Sequence, residues 1–85
     1  MAKMEQQHED FMAASAKWIK SNRQKYCPIT AVSNLPNWRK TFKDLKKWGL
    51  VCPYKSGEII IITEYGWSWL AEKHPEIIGR HKKMD

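Results

Sequence analysis

The sequence predicts a small α+β domain, mainly α, with three to four helices and a two-stranded β-hairpin. Three observations carry that expectation. Residues 4–21 and 37–48 place apolar side chains at helical spacing. Two strand-like runs, 50–54 and 58–63, flank Lys55, Ser56 and Gly57, a tight-turn composition. Thr63 then stands before a last run, 64–73, as a hydroxyl able to accept from a free N–H in a helix's first turn.

The elements follow in order. Residues 4–21 carry apolar or small side chains at Met4, Phe11, Ala14, Ser15, Trp18 and Ile19. Acids come early (Glu5, Glu9, Asp10) and bases late (Lys17, Lys20), the polarity a helix dipole favours. Residues 21–28 break the pattern. Residues 29–35 are short and apolar at Ile29, Ala31, Val32 and Leu35; they read as a two-turn helix capped by Thr30, although their alternation also permits a strand. Pro36 and Asn37 signal a turn, with Asn37 placed to cap a helix over 37–48. Gly49 supplies its stop. In the second strand, four consecutive isoleucines, 59–62, require cover on both faces or a partner surface. Gly66 inside the last helix costs roughly 1 kcal/mol relative to Ala, so a second backbone is expected to pass close by. The domain is expected to span residues 1–75, ahead of a polar tail, 76–85, in which Ile77 and Ile78 can dock.

Bulk composition excludes several classes. Eighty-five residues make one domain, and 42% hydrophobic content with five Trp is globular rather than disordered. No apolar run approaches a membrane span, and the polar N-terminus lacks a signal core, so a cytoplasmic location is expected, nucleoid-associated in a prokaryotic or viral setting. Cys27 and Cys52 read as reduced packing residues. They form no C-x-x-C, the three histidines lie apart at His8, His74 and His81, and no metal or cofactor is expected. The chain also lacks a Gly-rich phosphate loop, an H-E-x-x-H and a nucleophile elbow, which argues against an enzyme.

The net charge of +6 is unevenly placed. Residues 36–57 hold six bases (Arg39, Lys40, Lys43, Lys46, Lys47, Lys55) and one acid, Asp44, whereas 58–85 are net negative. At 100° per residue from Trp38, Phe42 falls near about 40° and Leu45 near about −20°, a narrow core stripe. The five helix cations fall between about 80° and 200°. Arg39, Lys43 and Lys47 form an i,i+4 ladder of like charge, which a purely solubilising helix would interleave with acids. Such a patch is the footprint of a polyanion site.

The order helix, short helix, turn, basic helix, hairpin, helix resembles a winged helix-turn-helix. Leu45, Gly49, Leu50 and Val51, followed by Ile62, Thr63, Gly66 and Leu70, resemble two runs found in MarR- and PadR-like regulators: the end of the recognition helix and the entry to the helix after the wing. The likeness covers residues 29–73. It implies a small winged helix that binds double-stranded DNA as a transcription regulator, of a size common among phage, plasmid and archaeal-virus proteins. The short last helix departs from the long terminal helices of MarR-like dimers.

On that reading the helix 37–48 enters the major groove. Asn37, Arg39, Lys40 and Lys43 lie nearest base edges and phosphates, and Arg39 alone offers the planar fork for guanine. Lys43, Lys46 and Lys47 contact phosphates. Lys55 and Ser56 at the wing tip touch the neighbouring groove or backbone, and Thr30 and Ser33 contact phosphate through hydroxyls. Trp38 belongs to the core. A homodimer joined through the N- and C-terminal helices is the preferred assembly. The alternative is a winged-helix module that docks a protein partner through its aromatic and isoleucine surface and its basic face.

Overall fold

The structure is a computed structural model that describes residues 4–78. Its elements are α1 (Gln6–Asn22), β1 (Cys27–Pro28), a 3-10 turn (Ile29–Ala31), α2 (Trp38–Lys47), β2 (Val51–Tyr54), β3 (Ile59–Ile62), α3 (Glu64–Lys73) and α4 (Pro75–Ile78). The arrangement is consistent with a small winged-helix-like α+β fold, mainly helical.

α1 buries His8, Phe11, Met12, Ser15, Ala16 and Ile19, a stripe at i, i+3 and i+4. Ser15 lies in that stripe at no polar cost, because its Oγ donates to the Phe11 carbonyl at 2.9 Å. Arg23 closes the helix in the left-handed region, at φ 53°.

The sheet is antiparallel in the order β1-β3-β2. β3 is therefore the central strand, which answers the question posed by its four isoleucines. Ile60 and Ile62 are buried in the core, while Ile59 and Ile61 are half-buried on the other face. β1, unpredicted from sequence, pairs Cys27 with Ile60 and Pro28 with Ile59. The Ile29 N–H extends this edge, donating to the Glu58 carbonyl at 2.9 Å.

The expected two-turn helix over 29–35 is absent. A 3-10 turn is followed by a further turn in which the Leu35 N–H donates to Val32 at 3.0 Å. Prolines at both ends and the β-branched Ile29, Thr30 and Val32 disfavour nucleating so short a helix. Only Val32 of this segment is fully buried. Thr30 lies inside the 3-10 turn, whose N-cap is Pro28, and so does not cap it. The supposed tail also begins differently, since residues 75–78 form α4, with Ile77 and Ile78 packed against the core. The remainder of that tail, 79–85, lies outside the described residues.

Thr63 and Gly66 join the wing to α3. Thr63 Oγ1 accepts from the Gly66 N–H at 3.0 Å and lies 2.7 Å from the Gly49 carbonyl oxygen, to which it donates. The Thr63 N–H donates to the Leu50 carbonyl at 3.1 Å. Gly66 is buried where α3 crosses that same carbonyl, so the close backbone approach expected at this glycine is present. Gly49, at φ 81°, makes the expected left-handed stop after α2. Among the described residues no helix is long and apolar enough to cross a membrane.

Candidate nucleic-acid interface

α2 presents two chemically distinct sides. Leu45 and Thr41 are buried, with Trp38, Phe42 and Trp48 half-buried around them. The Phe42 ring lies nearly parallel to that of Phe11, at 5.9 Å, and fixes the roll of α2 on α1. Thr41 tolerates burial because its Oγ1 donates to the Asn37 carbonyl at 3.0 Å. That roll leaves Arg39, Lys40, Lys43, Lys46 and Lys47 exposed on the opposite side.

The structure joins this face to the wing. One shallow depression runs along α2 past Arg39, Lys40, Lys43 and Lys46. A second lies between α2 and the wing tip, against Lys46, Tyr54, Lys55 and Ser56. Lys46 and Phe42 line both, so the two are parts of one surface. Pro53 and Phe42 give that surface an apolar floor. Tyr54, 54% exposed, was absent from the predicted contacts. Its signal in the sequence is its place at the end of β2, one residue before Lys55, on a strand with no buried role for it.

The wing tip is held in an unusual conformation. Lys55 and Ser56 both adopt left-handed backbone, at φ 52° and 56°, followed by Gly57 at 85°. Turn hydrogen bonds fix them, from the Gly57 N–H to Tyr54 at 3.2 Å and from the Glu58 N–H to Lys55 at 3.1 Å.

The cations differ in freedom. Lys40 Nζ lies 3.3 Å from Asp44 Oδ2, so it is partly committed. The Arg39 guanidinium sits 5.1 Å from the Trp38 ring centroid, held against the aromatic face. Lys43, Lys46, Lys47 and Arg39 form no ion pair among the described residues. Lys47 faces a separate depression beside Glu5, His8 and Trp48. Asn37 stands at the N-cap in left-handed backbone, φ 58°, and its side chain makes no cap hydrogen bond. Thr30 and Ser33 are exposed outside both depressions, and the Ser33 hydroxyl turns back to the Thr30 carbonyl at 3.3 Å.

Asp44 is the acid that orders the edge of this face. His8, buried at the start of α1, places Nε2 3.0 Å from Asp44 Oδ2. His8 Nδ1 accepts from the Glu5 N–H at 3.0 Å, which leaves Nε2 as the protonated, donating nitrogen. The His8 hydrogen bond, seconded by Lys40, holds the Asp44 carboxyl below the usual carboxylate range. His8 also packs on Trp48, ring to ring at 4.8 Å.

The chain matches no family model, no curated protein and no solved structure. The chemistry of the site therefore rests on its own residues. Among those described, no group of three or more His, Cys, Asp or Glu is placed to hold a metal ion.

Proposed function

We propose that the protein binds double-stranded DNA through α2 and the wing tip and acts as a small transcription regulator. The observation that carries this reading is the continuous surface from Arg39 through Lys46 to Lys55 and Ser56, in which Lys43, Lys46 and Lys55 form no ion pair among the described residues. Unpaired cations on a helix face, backed by a core on the other side, match the phosphate ladder of a duplex and release its counterions on binding. α2 is the element that would enter the major groove. Arg39 would read bases, while Lys43, Lys46 and Lys47 would meet phosphates. The resemblance to MarR- and PadR-like regulators agrees with this use of the elements. On this reading the protein works in the cytoplasm or on the nucleoid, and two copies would match a palindromic site.

The test is a titration of a short labelled duplex at several salt concentrations, with wild type beside Arg39→Gln, Lys43→Gln, Lys46→Gln. Each lost phosphate contact flattens the dependence of log affinity on log salt by about 0.9. The triple variant should bind at least roughly tenfold more weakly, with a slope shallower by about 1.8 from the two lost phosphate contacts of Lys43 and Lys46. Equal affinity and slope in wild type and variant would reject DNA as the ligand of this face. A salt-insensitive complex with a protein would then be the reading to pursue.

A further inference from the structure

A second group of cations lies at the end of α1, and it shares no residue with the α2–wing surface. Neither Asp nor Glu occurs between Asp10 and Asp44. Within that stretch Lys20, Arg23 and Lys25 gather with Trp67 of α3 around a shallow depression. A neighbouring depression, lined by Ser68, Ala71 and Ile78, again includes Lys20 and Trp67. Trp67 is half-buried, and the Lys20 ammonium stands 5.7 Å from its ring centroid.

Cations at the end of a helix ordinarily serve its last carbonyls. Here the carbonyls of Trp18, Ile19 and Lys20 already have partners. Asn22 Nδ2 donates to Trp18 at 2.9 Å, the Arg23 N–H to Lys20 at 3.4 Å, and the Gln24 N–H to Ile19 at 3.0 Å. Lys20, Arg23 and Lys25 form no ion pair among the described residues, although acids are present on α3 and α4. Three exposed cations thus stand around an aromatic ring without an acidic partner among the described residues. That combination suits a nucleic-acid strand, whose phosphates meet the cations while a sugar or base meets the ring.

Lys20 lies three turns and more beyond His8, the point where α1 meets Asp44, which is about 18 Å along the helix axis. Screening at physiological salt has a length of about 8 Å, so Lys20 is screened from the Asp44 end of α2.

We propose that Lys20, Arg23, Lys25 and Trp67 form a second nucleic-acid contact that binds the sugar–phosphate backbone independently of α2. The proposal shares its ligand class with the reading of α2 but not its residues. The experiment uses the same labelled duplex with four proteins: wild type, the α2 triple variant, Lys20→Gln with Arg23→Gln and Lys25→Gln, and all six changes together. All six side chains are exposed, and thermal melts confirm that each variant is folded. The α2 variant should retain weakened, salt-dependent binding. Adding the α1 changes should remove that remainder and flatten the salt slope by a further 2.7 or about that amount. The α1 changes alone should weaken wild-type binding roughly tenfold with the same change of slope. The proposal is overturned if the α1 changes leave affinity and slope unaltered in both backgrounds, as expected of a site for an acidic protein, or if the α2 variant retains no binding at all. Conversely, binding lost through the α1 changes but indifferent to the α2 changes would reject the α2 reading and sustain this one.

Discussion

Gly66→Ala sets helix propensity against packing, and the structure decides which is larger. In an exposed helix interior, Ala in place of Gly would stabilise by about 1 kcal/mol. At position 66 an added Cβ would stand 2.7 Å from Ile62 Cγ2 and closer still to the Leu50 carbonyl oxygen. The second contact is the expensive one, because a backbone carbonyl has no rotamer by which to escape. That oxygen also accepts from the Thr63 N–H and faces the Thr63 hydroxyl at 3.1 Å, so moving it loosens the wing–α3 joint. Overpacking costs about 1–3 kcal/mol, and weakening two hydrogen bonds adds about 0.5–1.5 kcal/mol for each. After the gain in propensity, a net loss of about 1–5 kcal/mol remains. In a domain of this size that lowers Tm by about 4–8 °C per kcal/mol. Thermal unfolding followed by circular dichroism reads it directly. Gly49→Ala is the comparison: its Cβ meets nothing within 4 Å, so only the left-handed backbone is penalised, at about 1–2 kcal/mol. A Gly66→Ala protein that melts at or above the wild-type temperature would refute the close approach of α3 to Leu50.

Two further predictions concern titratable groups. Asp44 has a folded pKa below its ordinary value, so its ionised form contributes stability above the usual carboxylate pKa, and that contribution disappears as pH falls through the depressed one. Asp44→Asn keeps an acceptor for His8 but loses the charge; urea midpoints between neutral pH and strong acid should fall less in the variant, and parallel curves would refute the linkage. Burial pushes the Cys27 thiol up to about 11, whereas Cys52 is exposed. Iodoacetamide at mildly alkaline pH should therefore add one group to the native chain and a second only after denaturation, as counted by mass spectrometry; two additions under native conditions would place Cys27 at the surface.

What the sequence reveals and what it hides divide along a physical line. The features read correctly depend on neighbours in the chain: Thr63 capping the N–H three residues on, Gly49 turning left-handed after α2, and Phe42 and Leu45 sharing a stripe. Of the fold features missed, β1 and the burial of His8 depend on distant partners. β1 is two residues long and contains a proline, so it has no alternation of its own and exists because Ile59 and Ile60 offer it an edge. The helix expected over 29–35 had favourable apolar spacing but too little length to nucleate between two prolines. His8 carried no local mark of burial, and its bond to Asp44 spans 36 positions. The candidate site follows the same division. The five α2 cations are legible from a helical wheel, while Tyr54 and the link through Lys46 to the wing require the hairpin to fold back beside α2. The commitment of Lys40 to Asp44 is local, at i,i+4, and could have been read from the same wheel.

Stability alone gives α2 no reason for its charge. The ladder Arg39, Lys43, Lys47 places like charges at i,i+4, which destabilises a helix by a few tenths of a kcal/mol for each pair. Lys46 and Lys47, in the last turn, are favoured by the helix dipole, but Arg39 and Lys40, in the first, are opposed by it. Asn37 provides no side-chain cap to offset that. α2 is held instead from behind, by Thr41 and Leu45 in the core, Phe42 against Phe11, and Asp44 on His8. A helix anchored so firmly on one side can carry an unfavourable charge pattern on the other. The same reasoning applies at the wing tip, where two non-glycine residues stay in left-handed backbone at a cost of about 1–2 kcal/mol each. Asn-Gly would make that turn more cheaply but would remove the cation. Lys55 therefore stands at a position where backbone preference opposes it, beside Lys46, on the surface that the α2 cations already line. Two local sacrifices of stability meeting on one surface are more readily explained by a polyanionic ligand than by solubility, which a cation at any exposed, unstrained position would have served equally well.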